Sequence, residues 1–496
     1  MITLTKIGRI IKVFGAKSSE LIIIKKSLSF PIPGHQFSEK FREGYWDGNL
    51  KFFQTRTLTF PYGLLDYVEK KLQKEQILYK LIGDEDKSID WIEFSEFLQP
   101  ENRDYQRDAV KAFYRRSCGI IKAPTRSGKT FIASEIIRLH LENTNNPRVF
   151  FITDSQDLFN QSIRDISGFL NVSPQEIGVL KADKFILKTV SVCMIQTIQS
   201  IYKNRKKNKS KYINLIKAVD CLTLTVIDEI HEYCESKFRI NFIKRIKSQY
   251  FLSLSATPFK DNKIANLTVK AITGGIIYEI SEEKLIERKV LAENKVLLLW
   301  LEHKNFRDNL SYRELMRKLI VNNDLRNNVI LDLISLFEAL YLKTLVLFNI
   351  TNHGKYISEL SGKPFIHGGD SMEVRDRQKK NFLSGFGKTL LASYIYKKGI
   401  TLPEAQIIFN VSGGKERSLV LQIRGRGLGV IGGKNKALCI DFIDDYQKYF
   451  NKHSLSRISA YEERVGKENI VVIRVIDKDF IDQIYSFVTD FFELWD

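Results

Sequence analysis

The stretch "IIKAPTRSGKTFIAS", residues 120–134, decides how the rest of the chain is read. An apolar run ends in a short polar turn, and Gly128, Lys129 and Thr130 then open a segment of helical spacing. A phosphate-binding loop, G-x-x-x-x-G-K-[ST], sits between strand and helix in this way. Its backbone N–H groups and the helix N-terminus bind phosphate oxygens. Pro124, Thr125, Ser127 and Gly128 are therefore expected to wrap a triphosphate, with ATP and Mg²⁺ as the ligands. Lys129 would reach the β- and γ-phosphates, and the Thr130 hydroxyl would hold the metal. Ala123 replaces the first glycine, which is tolerable where φ is negative. Arg126 lies inside the turn, and its side chain is expected to leave toward solvent.

Outward from this loop, short apolar runs alternate with amphipathic helices. "DYQRDAVKAFYRR" reads as helix, "CGIIKAP" as strand, and "RVFFITD", "TVSVCMIQ", "LTLTVIDE" and "YFLSLSAT" as further buried strands. Near residue 290 a second series begins with "KVLLLWL", "KTLVLFNI", "KPFIHG", "KTLLASY", "AQIIFNV" and "ALCIDFID". Such alternation predicts parallel, doubly wound sheets. The fold class expected is α/β, with two tandem lobes, a small α+β N-terminal domain and a short C-terminal extension. The boundaries fall at 1–98, 99–285, 286–450 and 451–496. In the first segment "SELIIIKKSLSF" reads as strand and "NLKFFQTRTLTFP" as a strand pair. Leu64, Leu65, Val68 and Leu72 share a helix face there. In the last segment Phe480, Ile484, Phe487 and Phe491 share another, expected to pack on a lobe.

Composition narrows the partners. The chain has 77 Lys and Arg against 58 Asp and Glu, a net charge of +19, which suits a polyanion. The basic run "YKNRKKNKSKY", residues 202–212, is expected to loop out near DNA, with Lys206 and Lys207 as contacts. Five cysteines without C-x-x-C spacing argue against a disulfide framework or a zinc site. No apolar run reaches the ~18 residues of a membrane span, so a cytoplasmic location is expected, that of the host if the chain is phage-encoded.

Downstream of the loop, "LTVIDEIHE" ends an apolar strand with Asp228, Glu229 and His231. One carboxylate there can hold the loop's metal, and its neighbour can orient and deprotonate an attacking water. Asp228 takes the first role and Glu229 the second. His231 either relays the nucleotide state or caps the turn. "LSLSATP" sets Ser255 and Thr257 after another strand, where they could couple the acidic box to lobe movement. "LVLQIRGRGLG" carries Gln422, Arg424 and Arg426, and Arg426 is the candidate to stabilise charge on the transferring phosphoryl group.

The ordered series "DYQRDAV", "APTRSGKT", "DSQDLFNQ", "MIQTIQS", "DEIH", "SAT", "ASYIYKKGI" and "QIRGRG" resembles the superfamily 2 helicases over residues 103–445. The resemblance implies two RecA-like lobes. It sets Arg103, Tyr105 and Gln106 at the adenine and Gly399 beside the nucleotide site. It sets Gln161 and Thr197 toward nucleic-acid backbone, and Gln422 and Arg426 in the last motif. "FREGYWDGNLKFFQTRTLTFPYGLL", residues 41–65, is similar to the N-terminal module of the phage UvsW-type DNA helicases, with Trp46 a candidate DNA contact. That family implies ATP-driven action on branched DNA in recombination, repair and replication. Two departures stand out: Gly429 replaces the family's second arginine, and Thr401 stands where many relatives have an acidic residue. An RNA helicase, or a strand-annealing protein with a nucleotide switch, are the competing expectations.

Overall fold

The computed structural model describes residues 1–83, 92–95, 103–182, 184–233, 236–259, 262–302, 310–393, 404–414, 430, 435–445, 448–475 and 479–494. Two compact units emerge: Met1–Pro124 with Gly128–Ile280, and Ser281–Asp496 with Thr125–Ser127.

The first unit begins with a hairpin of β1 (Ile2–Ile7) and β2 (Ile10–Phe14). A second, separate ribbon pairs β3 (Ser29–Pro31) with β4 (Asn49–Lys51). β5 (Thr59–Pro61) joins β2 antiparallel, and β6 (Tyr79–Ile82) joins β1 parallel. Between β2 and β3 the chain is helical at Ser18–Ser27, not extended. Leu21, Ile24 and Leu28 pack into the core at three- and four-residue intervals, a spacing only a helix can turn to one side. The Glu20 carboxylate accepts a hydrogen bond from the Lys17 N–H at 2.6 Å and helps start the helix. The expected pair in residues 49–61 also resolves differently, because β4 and β5 lie in different sheets.

A helix at Leu65–Lys74 buries Leu65, Val68 and Leu72, each such side chain contributing about 1.5–3 kcal/mol. These residues belong to one apolar cluster that runs on without a break into Cys118, Ile120, Phe251 and Val269. The contact is close. A Cβ on Gly63 would stand 1.7 Å from the Lys270 carbonyl oxygen, so only glycine fits there. The Arg9 guanidinium enters the same junction. It donates to the carbonyls of Ile272 (2.7 Å), Ile243 (3.2 Å) and Ile246 and lies 4.0 Å from the centre of the Phe251 ring. Burial lowers its pKa to about 10.

The large sheet of this unit is built from β7 (Cys118–Lys122), β8 (Val149–Thr153), β9 (Gly178–Lys181), β10 (Lys184–Ile186), β11 (Val190–Met194), β12 (Leu224–Asp228), β13 (Tyr250–Ser255) and β14 (Ile276–Glu279). Its order is β10-β9-β11-β8-β12-β13-β7-β14, with every pair parallel except β10 against β9. β7, β8 and β11 are buried almost throughout, as strands covered by helices on both faces require.

The second unit holds β15 (Glu293–Glu302), β16 (Thr344–Phe348), β17 (Phe365–Ile366), β18 (Thr389–Ser393), β19 (Ile407–Asn410), β20 (Lys436–Asp445) and β21 (Ile470–Arg474). All are parallel, in the order β17-β18-β16-β19-β20-β15-β21. The final helix, Phe480–Phe492, buries Ile484 and Phe491 and rests Phe480 and Phe487 on the same core.

One feature of this core is polar. Arg457, on the helix Lys448–Val465, donates to Asp441 Oδ2 (3.0 Å) and to the carbonyls of Gly414 and Phe442 (both 2.7 Å). Arg326 donates to Asp444 and to the Val411 carbonyl (3.1 Å). Tyr461 and Asn410 also donate to Asp441, at 2.9 and 3.0 Å. Burial opposes the Arg457 charge, but Asp441 and Asp444 more than offset it and raise the guanidinium pKa.

Candidate nucleotide site and its surroundings

The sheet order brings three strand ends together. β13 lies between β7 and β12, so the phosphate-loop segment, Ser255 and Asp228 leave adjacent carboxyl ends. Neighbouring strands are ~4.8 Å apart, so β7 and β12 are separated by about 10 Å. Ligands of open α/β sheets bind in the crevice beyond such ends.

β7 delivers the loop and the helix Lys129–Asn143 follows it. Ala123 keeps a negative φ, and the turn is made at Arg126 (φ 74°) and Gly128 (φ 81°). Gly128 suits the turn by its left-handed φ, and a Cβ there would meet Gln106 Nε2 at 2.3 Å, so that side chain would have to shift. Lys129 Nζ donates to the carbonyls of Ala123 (3.2 Å) and Pro124 (3.1 Å), folding over the loop. Thr130 lies in the first helical turn, partly exposed, as is Thr125; Ser127 and Pro124 are buried. Arg126 does not leave toward solvent. Its Nη2 is buried without a hydrogen-bond partner, and burial lowers its pKa to about 10. The backbone bends at this residue itself.

Arg103 is the N-cap residue of the helix Asp104–Arg116, and Tyr105 and Gln106 are buried in its first turn. Gln106 Nε2 donates to the Tyr105 hydroxyl at 3.3 Å, and burial raises the Tyr105 pKa.

Asp228 ends β12, its Oδ1 accepting from the Glu229 N–H at 3.1 Å. Its carboxyl pKa is pushed up to about 7, first by burial, then by Glu229; Lys129 opposes this and Asp154 adds to it. Glu229 sits at φ 49°, a left-handed geometry that costs about 1–3 kcal/mol outside glycine and aims its side chain at β13. There the Ser255 hydroxyl is a hub. It donates to Glu229 Oε2 (3.1 Å), meets His231 Nδ1 at 2.9 Å and accepts from the Thr257 N–H at 3.1 Å. His231 is fully buried, with Nδ1 3.3 Å from Glu229 and Nε2 3.3 Å from Glu232.

Asp154, at the end of β8, was not singled out from sequence, although it opens the "DSQDLFNQ" motif. It raises the Asp228 pKa, its carbonyl accepts from Gln196 at 2.5 Å, and its carboxylate is 3.9 Å from Arg239. Gln161 lies on the helix Gln156–Phe169 and donates to Asp165 at 3.2 Å. Thr197 is buried in the first turn of the helix Ile195–Lys203. Lys206 and Lys207 are exposed, but the basic run does not loop out. It spans the end of that helix, a tight turn and the start of Lys209–Asp220, because Tyr202 and Tyr212 pack edge to face at 5.2 Å. Trp46 is partly buried, its Nε1 donating to the Asn49 carbonyl at 3.0 Å. Gly399, Thr401, Gln422, Arg424, Arg426 and Gly429 lie outside the described residues.

The metal donors are sparse: among the described residues no three carboxylate, histidine or cysteine side chains cluster as a cage. One carboxylate and a hydroxyl, with phosphate and water completing the shell, is the donor set that suits Mg²⁺. Asp228 and Thr130 fit it.

Residues 99–260 match the family described as "Type III restriction enzyme, res subunit", and residues 12–84 match "DNA helicase UvsW, N-terminal". The chain is 24% identical to "ATP-dependent DNA helicase uvsW" of Enterobacteria phage T4, over 89% of this chain and 93% of that protein. It is 25% identical to "DNA 3'-5' translocase XPB2" of Sulfurisphaera tokodaii, over 75% and 88%. A fragment of a putative HsdR subunit of a type I restriction enzyme from Vibrio vulnificus shares the fold, with a TM-score of 0.55 at 17% identity over 89% of this chain and 83% of that one. No helix among the described residues is long and apolar enough to cross a membrane. With both sheets parallel but for β10 against β9, and the motifs gathered at adjoining strand ends, the chain resembles the superfamily 2 DNA helicases, the phage UvsW-type enzymes among them.

Proposed function

We propose that the chain couples ATP hydrolysis to translocation on branched or forked DNA, as the kinship with helicases and translocases of DNA suggests. The observation that carries this reading is the Ser255 hydroxyl joined at once to Glu229 and His231, one strand away from the phosphate loop.

In this reading Lys129 leaves the two loop carbonyls for the β- and γ-phosphates, and Thr125, Ser127 and Gly128 line the phosphate path. Arg103, Tyr105 and Gln106 face the adenine. Thr130 and Asp228 would hold Mg²⁺, which when bound would neutralise charge on the phosphates. Glu229 orients the attacking water and takes its proton. The water oxygen bonds to the γ-phosphorus as that phosphorus parts from the ADP oxygen, and Ser255, His231 and Thr257 carry the resulting change at Glu229 toward the rest of the lobe. Gln422, Arg426 and Gly399 serve from the second lobe. Gln161, Thr197, Lys206 and Lys207 contact the DNA backbone in a sequence-independent, salt-sensitive way. The cytoplasm, that of a host for a phage-encoded chain, is the proposed place of action.

The test is ATP hydrolysis measured in parallel with no nucleic acid, single strand, duplex, four-way junction and RNA. Stimulation by junction DNA above RNA is expected. Lys129→Ala is expected to abolish both hydrolysis and junction migration; migration that survives this change would end the motor reading.

A further inference from the structure

A cavity of about 430 Å³ opens where the N-terminal hairpins meet the large sheet, and no role has yet been given to it. Its walls include Ile7, Ile10, Phe52 and Ile272. Ile7 and Ile10 remain 51% and 42% exposed, unusual for aliphatic side chains in a sheet. The rim is basic. Lys51, Lys244 and Lys247 line it, and no carboxylate does. Lys51 is held by Asp47 at 2.7 Å, but Lys244 and Lys247 have no salt bridge among the described residues. Arg9 forms the floor with its donors spent on three carbonyls, so the floor is rigid.

The place matters as much as the lining. Lys244 to Ser248 lead into the amino end of β13, and Ile272 precedes β14. The phosphate loop and acidic box leave the opposite, carboxyl ends. A six-residue strand is ~20 Å long, so an occupant here is separate from the nucleotide site by at least that length.

We propose that this cavity binds one unstacked nucleotide of a DNA arm, base against the aliphatic walls and backbone phosphates on Lys244 and Lys247. The volume lies in the range of small-ligand sites, and apolar walls with a few charged groups suit a base joined to a phosphate. Unpaired nucleotides at a branch have little stacking left to lose, which favours them over paired ones. The inference rests on the DNA reading above and adds a second grip, distant from the motor chemistry.

The test uses the full chain and a forked DNA carrying 2-aminopurine at the unpaired positions next to the branch. Binding is titrated at several salt concentrations without ATP. Lys244→Ala with Lys247→Ala is expected to weaken fork binding about tenfold and reduce the salt slope by about two. Ile10→Asn, which removes apolar wall without adding charge beside the lysines, is expected to weaken it similarly and remove the fluorescence change on binding. Hydrolysis stimulated by single strands should persist in both variants, and thermal melting confirms that they fold. Unchanged fork affinity and slope in both would overturn the proposal and leave the basic rim to an acidic protein partner. Absence of DNA-stimulated hydrolysis in the unaltered chain would instead overturn the motor reading, since fork binding is measured without it.

Discussion

Ser255 has a single hydroxyl and three neighbours: a carboxylate, an imidazole and a backbone amide. Removing it frees Glu229 to sample other rotamers while leaving the phosphate loop untouched. Ser255→Ala is therefore expected to lower kcat of ATP hydrolysis by about tenfold to a hundredfold with little change in KM, the signature of a lost interaction made at the reaction step. A parallel rise in KM would show that the hydroxyl instead shapes nucleotide binding. The local sequence carried the acidic box and the loop because both are spelled by contiguous residues. It marked Ser255 as a link to the acidic box, but not the bonds of the hub, which join residues 26 positions apart across two strands. Nor did it carry Gln106 against Gly128, or the burial of Arg126 Nη2, because each depends on packing between segments.

The alternating pattern made most of the buried strands readable, since four to six apolar residues between helices have few other uses. The segment 18–27 was harder: its run of isoleucines has strand composition, and only the spacing of Leu21, Ile24 and Leu28 gives the helix away. β9, β10 and β14 are short or half-exposed and offer no such pattern. Elements are also tied by polar groups. His140, on the helix after the phosphate loop, is buried between Thr223 (2.7 Å) and Thr144 (3.3 Å), and burial lowers its pKa to about 4. An unfolded histidine protonates near pH 6.5, but this one stays neutral in the fold until about pH 4. Its contribution to stability is thus fully present above pH 6.5 and is lost as pH falls toward 4. His140→Asn is expected to flatten that part of the stability–pH curve, as read from chemical denaturation at pH 4 to 7. In the second unit, Arg457→Met leaves Asp441 and Asp444 buried with one cation fewer. A loss of about 3–5 kcal/mol is expected, and Arg457→Met with Asp441→Asn should lose less. Denaturation midpoints of the two variants check this order.

Composition suggested a boundary near residue 98, yet the apolar core of the N-terminal hairpins is continuous with that of the large sheet. Sequence patterns mark where elements change, not which surfaces fuse, so this junction was not visible in them. Arg9 is its polar anchor. Arg9→Met is expected to cost on the order of 3 kcal/mol, because carbonyls of Ile243, Ile246 and Ile272 lose their donor together. It should lower the melting of the hairpins and the sheet as one transition; an early, separate melting of the hairpins would show that they are independent. The net charge of +19 belongs to the same level, and binding of any DNA is expected to fall steeply with salt.

The order of strands in the second sheet has a consequence for how the protein is made. β15 is synthesised first of its seven, yet both its neighbours, β20 and β21, emerge about 140 residues later or more. At ~5–20 residues per second the ribosome takes roughly 7–30 s to deliver the first of them. Throughout that interval the apolar "KVLLLWL" lacks both its final partners, which leaves it open to wrong pairing.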